Sequence, residues 1–428
     1  MKKKIILITV IAVITGAAGW IGYSKLYGQK KQNSQGLMDS RINFVSRTSG
    51  KTERFITALE DQLKENPSNA KLSAELGAAY LQRARETSDP EYYNKAEHVL
   101  QNALDADNTN FEAMYLMGTL CLSRHQFKEA LEWGIKAKNI NPDNAPLRSV
   151  IYDAQIETGK YDEAIKTVQE MVDMRPDLTS YSRISYIREL KGDIKGAIEA
   201  MKSAINAGSP AGENTAWCRI QLGNLYLNSG DDQKAEQEYQ EAAYEFPGYV
   251  HCYGALAKLQ LSRGNYNAAI ELLKQAIQIS ALPEYIIMLG DAYTLAGQKD
   301  NAEEQYSNVK FINTIYKQKG IDTDMELALF EAEHNKNLEE ALELAKKSFE
   351  RRPSVKGSEA LAWTYYKMGN FNEAEKNIND ALALGTKDPL LYYHAGIIYR
   401  YTGHLDKSIE YMNMALKINP YYKNLYSE

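Results

Sequence analysis

The stretch that decides the fold is Arg219–Pro247, which reads RIQLGNLYLNSGDDQKAEQEYQEAAYEFP. Its apolar residues recur at the three- and four-residue spacing of amphipathic helices, on both sides of a Ser-Gly-Asp-Asp segment. Gly230 ends the first helix, since this helix end needs a positive φ. Pro247 cannot continue the second helix. The stretch therefore predicts two helices joined by a short turn.

This pattern recurs along the chain with a period of 34 residues, as the spacing of Pro142 and Pro176 shows. A small residue precedes the proline by 12 positions at Ala130, Ala164, Ala235, Ala341 and Ser408. A glycine lies five positions before this small residue in many units, at Gly159, Gly192, Gly230, Gly264, Gly297 and Gly369. A single helix pair cannot bury its apolar face, so consecutive pairs must stack on one another.

The combination of Leu222-Gly223, Tyr226, Ala235, Tyr239, Ala242 and Pro247 resembles the tetratricopeptide repeat. About ten such units start near residues 70, 111, 145, 178, 216, 250, 283, 322, 355 and 389, and residues 51–66 look like half of another. The resemblance implies an all-α, right-handed superhelical solenoid whose concave side binds proteins. The segments Leu81–Thr87, Met174–Leu178 and Arg351–Val355 also resemble a widespread group of bacterial multi-repeat proteins of unassigned activity.

The N-terminus carries the one targeting signal in the sequence. A short basic head, Met1–Lys4, precedes 19 uncharged residues at 5–23, nearly enough for a helix to cross a membrane. The alternatives are an uncleaved signal anchor and a signal peptide cleaved near Gly16-Ala17-Ala18. The anchor is favoured because the apolar run continues through Ile21. The short head predicts repeats on the extracytoplasmic side of the cell membrane, and cleavage would make the protein secreted.

The predicted organisation has five parts: a transmembrane helix or signal peptide at 1–23, a flexible tether at 24–50, a half-repeat helix at 51–69, the solenoid at 70–420 and a tail at 421–428. Three departures from the repeat stand out. The first unit carries a seven-residue insertion around residues 83–93, which is either a contact site or a longer polar turn. The seventh unit lacks its proline, which predicts a longer second helix. Too few residues follow Pro420 for a capping helix.

Composition and motifs predict no enzyme, no cofactor, no metal site and no nucleic-acid binding. Beyond residue 31 the chain has 44 basic and 56 acidic residues without a basic stripe. The three cysteines form no CxxC pair, the six histidines are isolated, and no GxSxG or HExxH occurs. Segment 49–52 resembles the end of a phosphate loop, but Val45 stands where that loop needs glycine.

The inner face of the first helices is the candidate binding surface, because aromatic side chains beside Arg and Lys are common in peptide-binding hot spots. The candidate ligand contacts are Trp217, Asn224, Asn228, Phe330, Lys356, Trp363, Tyr366, Tyr393, Arg400 and Tyr401. The inner face also includes Asp153, Glu157, Tyr186, Glu189, His251, Lys258, Asp291, Glu326 and Lys367. The alternative explanation for the aromatic residues is ordinary packing between consecutive first helices.

Three functions follow from these observations, in decreasing order of support. The first is a membrane-tethered scaffold that binds an unidentified protein or peptide in the concave groove. The second is a structural role, in which the repeats either self-assemble or form part of a bacterial envelope complex, through their edges and the uncapped C-terminal end. The third is an enzyme with a site in the non-consensus segments 83–93 and 174–193.

Overall fold

The computed structural model of the protein describes residues 50–421, which form 21 helices and contain no β-strand. The chain divides into two units, Met1–Lys51 and Thr52–Glu428, and the solenoid belongs to the second. The predicted membrane span, most of the tether and the tail after residue 421 lie outside the described residues. Within residues 50–421, no helix combines the length and the hydrophobicity needed to cross a bilayer.

Helix α1 covers residues 50–65, and ten helix pairs follow it. The first helices of the pairs are α2 (Ala70–Thr87), α4 (Phe111–Ser123), α6 (Arg148–Glu157), α8 (Leu178–Leu190), α10 (Glu213–Asn228), α12 (Val250–Ser262), α14 (Pro283–Leu295), α16 (Asp324–Glu333), α18 (Val355–Lys367) and α20 (Pro389–Tyr401). The second helices are α3 (Glu91–Ala106), α5 (Phe127–Ile140), α7 (Tyr161–Met174), α9 (Ile194–Ala207), α11 (Asp232–Glu245), α13 (Tyr266–Ile279), α15 (Lys299–Gln318), α17 (Leu338–Arg351), α19 (Phe371–Leu382) and α21 (Leu405–Ile418).

The turn inside most pairs follows the glycine pattern, while Ser88, His125 and Asn335 have the positive φ in three others. The six predicted turn glycines all have a positive φ, between 72° and 77°. A second glycine, in the first helix, allows close packing within the pair. A Cβ added at Gly223 would lie 2.3 Å from the Tyr239 ring, and the Tyr239 hydroxyl donates a hydrogen bond to Asn224 Oδ1 at 2.8 Å. The repeated residues therefore specify both the turn and the distance between its helices.

The core is an apolar layer that continues from pair to pair. Each second helix packs on its own first helix and on the first helix of the next pair. The small residues Ala130, Ala164 and Ala235 are fully buried at these crossings. The three cysteines are free and buried, as expected for small side chains on packed helices.

The seventh pair departs from the pattern as predicted, because α15 has 20 residues where most second helices have 14. Its extra turns carry the following loop, with Gly320 and Asp322, across to the second pair. There the backbone N–H of Asp322 donates to Arg124 O at 2.9 Å, and Gln126 Nε2 donates to Gly320 O at 3.3 Å. Without the proline, α15 continues for longer, and the loop after it contacts the second pair.

The solenoid coils until it contacts itself. Pairs α2–α11 are here called the first coil, and α13–α21 belong to the second coil. The turn inside each pair of the first coil packs against a loop that follows a second helix of the second coil. Five contacts join residues 192 to 197 positions apart, namely Ser88–Ser280, His125–Asp322, Tyr161–Val355, Leu190–Thr386 and Leu227–Asn419. One turn of the coil therefore takes between five and six repeats. The right-handed sense of the coil stays a prediction.

The insertion in the first unit takes part in this closure. It lengthens α2 to 18 residues and ends it at Ser88, which has a φ of 54°. The Ser88 hydroxyl lies 3.2 Å from His251 Nε2, and Arg85 Nε lies 3.5 Å from Glu213 Oε2. The insertion thus makes contacts within the chain.

Candidate functional site: a cavity between the coils

A cavity of about 870 Å³ lies inside the solenoid, and its walls come mainly from first helices. This volume is within the roughly 300–1,000 Å³ typical of ligand pockets. The residues used below line it, together with others from the same elements: Arg85, Glu213, Trp217, His251, Lys258, Glu284, Ile287, Met288, Asp291, Thr323, Glu326, Leu329, Phe330, Glu333, His334, Trp363, Lys367, Tyr393 and His394.

Four of the ten predicted contact residues line this cavity: Trp217, Phe330, Trp363 and Tyr393. Trp217 is 41% exposed, whereas Phe330 and Trp363 are 3% and 4% exposed. Trp363 is stacked on His394 at 3.9 Å and on Tyr366 at 4.8 Å between ring centres. Ordinary packing thus accounts for much of the surface of Phe330 and Trp363, while Trp217 offers a free ring face.

The other six predicted residues do not line the cavity. Asn224 accepts the Tyr239 hydrogen bond described above, and Asn228 is half-buried on the same helix. Lys356 Nζ forms ion pairs with Glu359 at 3.3 Å and with Asp388 at 3.8 Å. The remaining three, Tyr366, Arg400 and Tyr401, lie near the end of the solenoid, where the Tyr366 and Tyr401 rings contact each other at 5.3 Å.

Two consecutive first helices present the same pattern to the cavity. Helix α14 contributes Glu284, Ile287, Met288 and Asp291, and α16 contributes Glu326, Leu329, Phe330 and Glu333. Both sets have the spacing i, i+3, i+4 and i+7, which places all four side chains on one helix face. Sequence reasoning identified Asp291, Glu326 and Phe330 as inward residues but missed the rest. The repeated acid–apolar–apolar–acid spacing was the signal that could have found them.

Two of the carboxylates on these helices have raised pKa values. Burial within the concave wall, and then the charge of Glu326, raise the pKa of Glu284 to about 7. Burial, and then the charge of Asp291, raise the pKa of Glu333 above its usual value. Both side chains are exposed to the solvent of the cavity, so the shifts come from the protein that surrounds the cavity and not from enclosure of the side chains. Among residues 50–421, neither carboxylate has a hydrogen bond or ion pair.

Four histidines line this cavity, and three of them, far apart in the sequence, differ in their surroundings. His251 Nδ1 lies 2.7 Å from the Tyr285 hydroxyl, and burial lowers the His251 pKa to about 4. His334 is buried too, which opposes its charge, but the adjacent Asp291 at 2.9 Å outweighs this and raises its pKa. In the part of the chain that the structure describes, no three His, Cys, Asp or Glu residues are grouped so as to hold a metal ion.

The third histidine belongs to a buried ionic group behind Trp363. His394 Nδ1 lies 3.1 Å from Glu359 Oε1, and both residues are less than 5% exposed. Burial alone would raise the pKa of Glu359, but Lys356 and His394 lower it to about 2. This paired carboxylate contrasts with the unpaired Glu284 and Glu333, so the uncompensated charge in the cavity lies on α14 and α16.

With this geometry described, the chain can be compared with known proteins. A family model described as anaphase-promoting complex, cyclosome, subunit 3 matches residues 89–171. Two tetratricopeptide repeat models match residues 218–248, 250–281 and 359–423. The fold is an α-solenoid of helix pairs, and these matches fall in the beginning, middle and end of the solenoid. The chain is a multi-repeat protein of the tetratricopeptide family.

Its relatives are distant. A repeat-containing protein of Methanocaldococcus jannaschii is 21% identical over 77% of this chain and 67% of its own length. Subunit 7 of the Arabidopsis thaliana anaphase-promoting complex is 20% identical over 52% of this chain, which spans 39% of that subunit. A chain of the APC/C hetero-tetramer Cut9–Hcn1 aligns with a TM-score of 0.48 at 17% identity, over 84% of this chain and 63% of that one.

Proposed function

We propose that this protein is a membrane-tethered scaffold that holds a segment of a partner protein in the cavity between its coils. The observation that carries the proposal is the cavity itself, whose wall combines the exposed Trp217 ring with apolar and charged side chains. Its volume suits a short peptide segment and not a folded domain. Proteins of this repeat family bind partner proteins or peptides, and the wall holds the hot-spot residue types.

The tether is the part of the proposal that rests on sequence alone. The uncharged segment at 5–23 would anchor the chain, and its short basic head favours repeats on the extracytoplasmic side. A reporter enzyme that is active only outside the cytoplasm, fused after Glu428, tests this orientation. Activity of that fusion is the expected result, and activity of a cytoplasm-only reporter at the same position contradicts it.

The binding proposal is tested by site-specific photocrosslinking in the native cell. A photoreactive residue at Ile287, inside the cavity, is compared with one at Tyr244, which is 69% exposed on the second helix α11. We expect Ile287 to crosslink to one contiguous segment of one partner. The substitution Trp217→Ala should weaken this crosslink, and a synthetic peptide of the segment should compete for it.

Tyr244 is the matched control, because its side chain lies on the solenoid but does not line the cavity. Equal crosslinking from both positions, or failure of the peptide to compete, contradicts binding in the cavity. Helical circular dichroism of the Trp217→Ala variant shows whether its fold is intact. That substitution removes a side chain with 41% of its surface exposed, so little stability should be lost.

A second candidate function, self-association, is favoured by the last helix. Leu405 and Ile409 are 60% and 61% exposed on α21, and Leu416 lies on the same helix face further along. A following first helix would cover this stripe in an internal unit. Sedimentation of the full-length chain in detergent tests the idea: a mass that increases with concentration, and that Leu405→Glu/Ile409→Glu returns to one copy, supports it. A single copy at all concentrations contradicts it.

A further inference from the structure

We infer that the cavity recognises a peptide segment with two positively charged side chains separated by two apolar residues. This inference rests on the proposed function and names the chemistry of its ligand. Its basis is the repeated face of α14 and α16, where carboxylates stand at both ends and apolar side chains lie between them. A segment with Lys or Arg at positions i and i+3 places its charges and its apolar residues in matching order.

The carboxylates form two pairs, one at each end of this face. Glu284 is close enough to Glu326 for the two charges to repel each other, and Glu333 stands in the same relation to Asp291. Residues seven apart on a helix are separated by about 10 Å along its axis. Three residues of a polyproline II segment span about 9 Å, and its three residues per turn bring side chains i and i+3 to the same side. One segment in this conformation can therefore place a cation at each pair.

Each pair contains one carboxylate without a partner. Asp291 accepts a hydrogen bond from the Tyr306 hydroxyl at 2.8 Å and pairs with His334, and Glu326 lies 3.7 Å from Arg352 Nη1. Glu284 and Glu333 have no such contacts among the described residues. Because like charges nearby raise the free energy of their ionised forms, a bound cation would relieve repulsion at both ends. The cavity wall holds five carboxylates and three lysine or arginine side chains, and Arg85 already pairs with Glu213.

Two buried polar groups on the same wall lack a hydrogen-bond partner. Trp363 is 4% exposed and its indole Nε1 has no hydrogen-bond partner among residues 50–421. Thr323, 5% exposed just before α16, likewise has an unpartnered hydroxyl. Buried donors are normally satisfied, so these two unpaired groups set this wall apart from an ordinary packed core. Between them, Ile287, Met288 and Leu329 supply an apolar floor.

The test uses the full-length chain in detergent and two fluorescein-labelled peptides. The first has Arg-Leu-Leu-Arg at its centre with Gly-Ser flanks, and the second replaces both arginines by citrulline, which has the same shape without the charge. Fluorescence anisotropy should show the arginine peptide binding at least roughly tenfold more tightly, the effect expected for charge-assisted hydrogen bonds. In the Glu284→Gln/Glu333→Gln variant the two peptides should bind equally.

A double variant with the same change of charge, Glu339→Gln/Glu343→Gln on α17, is the control and should keep the wild-type preference. If both peptides bind wild type equally and Trp217→Ala weakens both, the inference about cations is overturned and binding in the cavity stands. If neither peptide binds at millimolar concentration, the inference is also overturned. The photocrosslinking experiment then decides the proposed function independently.

Discussion

The turns of the first coil and the turns of the second coil have the same local structure but different surroundings. Gly192 and Gly369 occupy equivalent positions, with φ values of 72° and 75°. A Cβ at Gly192 would lie 2.3 Å from Gly385 O, on the other coil. A Cβ at Gly369 would meet no atom of the described residues within 4 Å.

This difference teaches that one sequence signal serves two structural purposes. In both turns the glycine supplies a positive φ, which costs other residues about 1 kcal/mol or more. Only in the first coil does the absence of a side chain also allow the other coil to approach. The closure of the solenoid therefore depends on turns that look ordinary in the sequence, and its energetic contribution can be measured by comparing matched positions.

The largest effect is expected at the ion pair that joins the coils. Arg352 pairs with Glu157 of the first coil, its guanidinium lies 5.1 Å from the Phe127 ring centre, and both charged side chains are 16% exposed. Arg352→Ala leaves Glu157 largely buried without its partner, so we expect the free energy of unfolding to fall by about 2 to 3 kcal/mol. Urea unfolding followed by circular dichroism measures this loss.

The matched control for Arg352 is Arg263, which pairs with Asp232 at 2.7 Å and Glu236 at 3.0 Å between neighbouring units. Arg263→Ala should cost about 1 kcal/mol or less, because its side chains are more exposed. Small-angle scattering should show a larger maximum dimension for Arg352→Ala only. Equal losses and unchanged dimensions would mean that the contact between the coils adds nothing to stability.

The second effect separates the two purposes of the turn glycine. Gly369→Ala should lower the free energy of unfolding by about 1 kcal/mol through its positive φ alone. Gly192→Ala should cost about 1 to 2 kcal/mol more, because its Cβ would overlap a backbone oxygen of the other coil. Urea midpoints of the two variants give the difference directly, and identical midpoints would contradict a packed interface at Gly192.

The smallest effect compares a carboxylate inside the coils with one outside. The pKa of Glu284 is raised to about 7, so its ionisation above the usual value near 4.5 destabilises the folded state. Glu284→Gln stays neutral. Its free energy of unfolding relative to wild type should therefore rise between pH 5 and 8, by at most about 1 kcal/mol because the side chain is accessible and screened.

Glu343→Gln, on the outer helix α17, should show no such dependence between pH 5 and 8. The hydrogen bond and charge of Lys347 lower the pKa of Glu343, so the wild-type carboxylate favours the folded state once it ionises. That contribution is complete above the usual value near 4.5, so the difference in stability between variant and wild type should stay constant between pH 5 and 8. Thermal unfolding at several pH values compares the two variants. If stability depends on pH in the same way in both, the inner wall does not disfavour the ionised form of Glu284.

Much of the local architecture could be predicted from the sequence. The ten helix pairs begin within three residues of their expected starts, the six turn glycines have positive φ, and α15 is longer than its neighbours. These features depend on periodicity, on the absence of a Cβ and on proline, which act over a few residues. For this reason the 34-residue pattern was enough to predict the family.

The candidate site was predicted only in part. The positions facing inward follow from the repeat, and Trp217, Phe330, Trp363 and Tyr393 do line the cavity. Other positions with the same register do not, as Asn224 and Lys356 show, because Tyr239 and Glu359 bind them locally. Register gives the face of a helix, but the neighbours of a polar side chain decide whether it is free.

The sequence by itself determined the helix pairs, their turns and the family, since each depends on contacts between residues close along the chain. Only the tertiary structure decided that the coil closes after between five and six repeats and encloses a cavity with unpaired Glu284 and Glu333. The physical reason is that the path of a solenoid sums many small rotations between units. A change of a few degrees at each unit, or the extra length of α15, moves residues nearly 200 positions apart into or out of contact.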